Sequence, residues 1–268
     1  MLYNKYHYNL ESASQKGDHI VTKHRARKTK NSKPQDMGQN AHQVVDFQKY
    51  KNRKKNVVIL PKNLAQEDYI ALIDDNRTDV IFAIGPAGTG KTMIAVLAAI
   101  RALKNGECEK IVITRPAVSV DEQHGFLPGN LVDKMAPWTR PIFDVIEEYY
   151  SPTEIETMIK ENIIEVAPLA YMRGRTFKNA YILFDEAQNS TPNQMKMILT
   201  RLGENSRIIT TGDLNQHDRT FEENGLKDFL ELLKSSSTGR IQFVEFSRED
   251  VERHPTVREV LCIYGDER

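Results

Sequence analysis

The chain has 268 residues with 37 basic and 37 acidic side chains and 40% hydrophobic content, ordinary for a globular protein of one large domain or two small ones. No apolar stretch reaches the roughly 18 residues of a membrane span, and the N-terminus lacks the apolar core of a signal peptide. Cys108 and Cys262 are the only cysteines, too few for a disulfide framework or a cysteine zinc site, and a cytoplasmic protein without a membrane anchor is expected.

The zero net charge conceals an asymmetry. Residues 1–55 carry 13 Lys and Arg against 4 Asp and Glu, leaving 24 basic and 33 acidic groups for the remainder. This first stretch is poor in apolar residues and without period, so residues 1–56 read as a basic, mostly disordered tail. Its densest stretch, "KYKNRKKN" at 49–56, is open to two readings: a nucleic-acid-binding arm that releases phosphate counterions, or a solvated tail.

From residue 57 the pattern becomes that of a folded domain, 57–268. "LPKNLAQEDYIALI" places Gln66 ahead of an amphipathic helix; a glutamine can hydrogen-bond both edges of adenine that distinguish it from guanine. "DVIFAI" (79–84), "KIVITR" (110–115), "AYILFD" (180–185), "SRIITTGD" (206–213) and "IQFVEF" (241–246) read as buried strands. "TMIAVLAAIRAL" (92–103), "PNQMKMILTRLG" (192–203, closed by Gly203) and "ENGLKDFLELLKS" (223–235) read as helices. Strands alternating with helices predict an α/β fold, a mainly parallel sheet with helices on both faces. Residues 116–179 are too long for a simple crossover, so a helical insertion is expected there, with one helix broken near its prolines and another at "TEIETMIKE". Trp138, Phe143, Tyr149 and Tyr150 read as packing for it, with base stacking as the alternative.

Between the first strand and helix lies "GPAGTGKT": Gly85, Pro86, Ala87, Gly88, Thr89, Gly90, Lys91 and Thr92. This is the G-x-x-x-x-G-K-[ST] pattern in its confirming strand–loop–helix context. Glycines let successive N–H groups converge on phosphate oxygens, and the helix adds its positive end. Lys91 can reach the β- and γ-phosphates, and Thr92 can ligate Mg²⁺. The run "YILF" ends in Asp185 and Glu186. Beside the glycine loop, Asp185 can hold Mg²⁺ and Glu186 can polarise the attacking water, the cation relieving their mutual repulsion. "GDLNQ" brings Asp213 and Gln216 to the same crevice, Gln216 to sense the γ-phosphate or orient the water. Arg173 and Arg175 in "RGRT" suit phosphate.

In this order Gln66, the glycine loop, "TRPAV", "DEAQN" and "GDLNQ" resemble the single core of superfamily 1 helicases. More closely, "GPAGTGKT", "ITRPAV", "GFLPGNLVDKMAPW", "YMRGRTF", "DEAQN", "TGDLNQ" and "DVERHP" resemble the PhoH-like ATPases over about residues 60–265. The resemblance implies a RecA-like P-loop NTPase that binds ATP in the cytoplasm, common among bacteria and phages. Some members carry a PIN ribonuclease domain, for which the tail is too short. Asp121 and His124 depart from the family pattern, and no role is carried over for 121–124. The expected activity is Mg²⁺-dependent ATP hydrolysis acting on RNA or single-stranded DNA as a helicase-like motor. The alternative is an ATP-dependent switch or scaffold for a protein partner. A superfamily 1 helicase binds ATP between two cores, and this chain has room for one. A neighbouring subunit would then supply an arginine in a homo-oligomeric, hexameric ring, with Arg253 of "DVERHP" the first choice over Arg173 and Arg175.

Overall fold

The computed structural model describes residues 56–116, 131–216 and 223–264. The tail expected over 1–56, all but its last residue, lies outside them, as do Asp121 and His124. Six parallel strands form one sheet: β1 (Val80–Ile84), β2 (Lys110–Thr114), β3 (Ile164–Val166), β4 (Ala180–Phe184), β5 (Arg207–Gly212) and β6 (Ile241–Glu245), in the order β3-β2-β4-β5-β1-β6. The helices are α1 (Leu64–Asp74), α2 (Lys91–Asn105), α3 (Leu131–Glu147), α4 (Pro152–Lys160), α5 (Pro192–Leu199), α6 (Gly225–Lys234) and α7 (Pro255–Tyr264). This is an α/β fold of RecA-like P-loop type.

The strands form where apolar runs can be buried on both faces. Every residue of β1 and of β4 is buried. Successive side chains point to opposite faces, so Ile81, Ile111, Leu183 and Ile209 enter one core with Ile94 and Ala98 of α2. Phe82, Ile182, Phe184 and Ile208 enter a second core with Ile198 of α5 and Leu226 and Leu230 of α6. α2 lies so deep that ten of its 15 residues are buried, which explains the apolar run over 93–100. Its end is set by Gly106, left-handed at φ 73°, whose N–H reaches back to the last turn.

Five strands end within one residue of the sequence expectation. β3 escaped it: three residues on the edge of the sheet, paired only to β2, give too short an alternation to read. α3 differs as well, running unbroken through Pro137 and Pro141. Both prolines are exposed, four residues apart, so the missing N–H groups fall on the solvent side, where water can serve the carbonyls. The opposite face seats Ile142 and Ile146 in the core, with Trp138, Phe143 and Tyr149 packed against it. Gly203 does not close α5, which stops at Leu199; its N–H donates to the Phe177 carbonyl at 2.8 Å, and a Cβ there would stand 2.4 Å from that oxygen.

No helix among the described residues is long and apolar enough to cross a membrane. Cys108 is buried, its thiol pushed up to about 12 by that burial, whereas Cys262 on α7 is exposed.

Candidate nucleotide-binding site

The C-terminal ends of β1, β4 and β5 open onto one cleft of about 240 Å³. Its wall is the loop of residues 85–92, whose start is tied to the strands on either side. Gly85 donates to the Gly212 carbonyl at 3.0 Å, and Phe246 donates to the Ile84 carbonyl at 2.6 Å. Gly85 must be glycine, since at φ 144° a Cβ would lie 2.3 Å from the Phe246 oxygen.

Lys91 begins α2 and turns back along the loop. Its ammonium donates to the carbonyls of Gly85 (2.7 Å) and Pro86 (2.6 Å) and to the Thr89 hydroxyl (3.2 Å). Burial pushes this ammonium below its usual range, against the pull of Asp213, Glu186 and Asp185. Thr92, one residue on, donates to Asp185 Oδ1 at 2.9 Å, and Thr211 of β5 donates to the same oxygen. β5 lies between β1 and β4, so the Asp185 carboxylate reaches α2 across an intervening strand. The sequence reading missed Thr211. Its signal was present in "TTGD": of two consecutive threonines in a buried strand, one must face the P-loop helix.

Glu186 adopts a left-handed backbone, φ 53° and ψ 42°. For a side chain with a Cβ this costs about 1 kcal/mol or more and turns the chain sharply out of β4. Glu186 thereby enters the cleft beside Asp185 instead of continuing the strand. Gln188, 1% exposed, donates from Nε2 to the Glu186 carboxylate and accepts from the Asp213 N–H at 3.1 Å. This side chain, also unforeseen, ties the second carboxylate to the end of β5. Asp213 and Gln216 line the cleft as expected, with Gln216 donating its N–H to the Asp213 carbonyl at 3.1 Å.

Beyond that loop, four expected residues lie outside the cleft lining. Gln66 lies inside α1, not ahead of it, its N–H capped by Asn63 at 2.9 Å. Its amide is 1% exposed, accepting from the Lys62 N–H at 2.9 Å and donating to the Thr89 carbonyl at 3.0 Å. Gln66 therefore braces the loop from behind and is absent from the cleft lining. Arg175 is committed to a two-pronged ion pair with Glu165 of β3, the second prong at 2.9 Å, and covers the Phe177 ring at 4.5 Å. Its neighbour Arg173 is exposed in the turn after residue 172. Arg253, expected to face a neighbouring subunit, donates to the Ala87 carbonyl of its own chain at 3.3 Å.

A Thr hydroxyl and an Asp carboxylate, 2.9 Å apart, are the hard oxygen donors that Mg²⁺ takes. Among the described residues no group of three or more His, Cys, Asp or Glu could hold a metal alone.

A parallel sheet, a glycine loop opening a buried helix, and a lysine facing a carboxylate pair across an intervening strand define a P-loop nucleotide-binding protein. The chain belongs to the PhoH family: the family model for PhoH-like proteins matches residues 58–265. It is 46% identical over 212 residues to the PhoH-like protein of Bacillus subtilis, covering 78% of this chain and 65% of that one. It is 42% identical over 227 residues to the PhoH-like protein of Synechocystis (84% and 68%). It is 41% identical over 210 residues to Protein PhoH of Escherichia coli K12 (77% and 58%). The match thus spans about two thirds or less of these relatives' own length. The protein is a P-loop nucleotide-binding protein of PhoH type.

Proposed function

We propose that the chain hydrolyses ATP with Mg²⁺ and couples the reaction to RNA or single-stranded DNA. The observation that carries hydrolysis is Glu186: a second carboxylate, turned into the cleft at a backbone cost and held there by Gln188. A site that only held nucleotide would need Asp185 alone. In this reading Lys91 exchanges the Gly85 and Pro86 carbonyls for phosphate oxygens, a stronger charge-assisted bond. Thr92 and Asp185 hold the Mg²⁺, which when bound neutralises phosphate charge. Glu186 accepts a proton from the attacking water, which Gln216 helps to orient.

The nucleic-acid part is supported by the helicase-like order of the motifs and by the excess of basic residues in 1–55. The hexameric ring expected from the RecA-like resemblance belongs to the same reading, and light scattering with ATP present checks it. Glu186→Gln should lower turnover by about 10²- to 10⁴-fold while leaving ATP bound. ATP turnover with and without RNA or single-stranded DNA, at two salt concentrations, tests the coupling. Stimulation that fades with salt supports it; no stimulation at low salt favours a switch for a protein partner.

A further inference from the structure

The segment after β6 is fixed against the nucleotide loop by its backbone. Following the Phe246 bond to Ile84, the turn at Arg248–Asp250 is capped by Ser247, whose hydroxyl accepts from the Glu249 N–H at 3.2 Å. Asn63 at the head of α1 donates to the Asp250 carbonyl at 3.2 Å. Glu252 then donates its N–H to the Gly88 carbonyl at 2.9 Å. Arg253 is thereby carried over the loop's first half, and its Nη2 donates to the Ala87 carbonyl at 3.3 Å. Gly88 makes room for this: at φ 86°, a Cβ would lie 3.0 Å from Arg253 Nε and 3.4 Å from Val251 Cγ1.

Lys91 supplies the second coordinate. Its ammonium lies 2.6 Å from the Pro86 carbonyl, next in the chain to the one Arg253 meets. Two cations thus serve adjacent carbonyls of one short loop, on which Ala87 and Gly88 line the cleft. Ala87, whose carbonyl Arg253 meets, lines the cleft, so the guanidinium rests on the loop that holds the terminal phosphates in sites of this kind. Its planar fork suits a pair of phosphate oxygens.

We infer that Arg253 contacts the γ-phosphate of ATP bound to its own chain, so that this core carries its phosphate-stabilising arginine in cis. The inference rests on the hydrolysis reading only for its effect on rate; its effect on binding is separate. Such arginines are supplied in cis by some nucleotide hydrolases and in trans for others, and their loss costs on the order of 10³-fold or more in turnover. In a ring of such chains the subunits need not complete one another's sites.

The test compares wild type with Arg253→Ala and Arg253→Lys, the latter keeping the aliphatic stem and the charge. With fluorescent ATP and ADP analogues, wild type should bind the triphosphate more tightly. Arg253→Ala should lose that preference with ADP affinity unchanged within about twofold, and Arg253→Lys should keep part of it, each charge-assisted bond contributing about tenfold or more. An unchanged ATP-to-ADP ratio in Arg253→Ala would overturn the contact, whether or not wild type hydrolyses ATP. Absence of wild-type turnover would strike the hydrolysis reading alone. Where turnover is present, Arg253→Ala mixed with Lys91→Ala should remain inactive at every ratio, because no chain then holds both groups. Recovery of activity in the mixture would overturn the inference in favour of an arginine acting between subunits.

Discussion

At the N-terminal end of the sheet, Arg240 meets Asp79 at 2.8 Å, Lys178 meets Glu204 at 3.0 Å, and Arg207 caps the carbonyls of Ile73 and Asp75 at the close of α1. At the C-terminal end, Lys91 shares a cleft with Asp185, Glu186 and Asp213, yet its hydrogen bonds go to neutral loop oxygens. The cavity at the first end is the larger, about 610 Å³ against 240 Å³. Size is therefore a poor guide to the site. What separates the two ends is whether charges are cancelled or held apart. Cancelled charges fasten loops to the fold; a cation kept from nearby carboxylates, at the desolvation cost seen in Lys91, is poised for an anion that brings its own metal.

If so, removing charges from the two ends must fail in different assays. The largest effect is expected for Lys91→Ala: turnover falls below detection and ATP affinity drops about 100-fold, while thermal unfolding is little changed. Retained nucleotide affinity in a filter-binding measurement would break the contrast. Gln188→Ala, which frees the Glu186 carboxylate from β5, should lower kcat by about 10²-fold with KM nearly constant, since it misplaces a group without removing a phosphate contact. An increase in KM alone would assign Gln188 to binding instead.

At the other end, Arg207→Ala should leave ATP affinity within twofold of wild type. It should destabilise the chain by about 2 kcal/mol, a fall of roughly 4 to 8 °C in Tm, because two helix-end carbonyls lose a charged donor. Arg175→Ala should cost about 1 kcal/mol, discounted for the partial exposure of the pair with Glu165. The hydrogen bond from Arg175 holds the Glu165 carboxyl below its ordinary range. A lowered folded-state value means the contribution is present above the usual carboxylate pKa of about 4.3 and is lost as pH falls through the lowered one. The Tm difference between Arg175→Ala and wild type should accordingly shrink on acidification, and a difference that grows would refute the assignment.

Much of this was legible in the residues because its causes are local. A glycine loop between an apolar strand and an apolar helix declares itself in eight residues, and "YILF" can only be a strand buried on two faces. What stayed hidden depends on long-range placement. No local pattern says that β5 comes between β1 and β4, so Gln188 could not be assigned to a carboxylate, and "TTGD" could say only that one of its threonines faces the helix. Gln66 was found by spacing, but the turn of α1 that directs its amide to Thr89 is set by Asn63 and by packing against the loop. Arg253 was singled out within "DVERHP", with nothing to say which loop it meets. That β6 neighbours β1, bringing the following turn onto the loop of the same chain, is information carried by strand order alone.

The contrast between the two cysteines has a practical side. Cys108 is enclosed, with a thiol that stays protonated at neutral pH, and Cys262 stands open on α7, nine residues past Arg253. A maleimide dye added to the unmodified protein should therefore attach at one position. It would place a fluorophore on the helix that follows the arginine segment without any engineered substitution, and its emission on adding ATP or ADP would report whether that helix responds to the third phosphate.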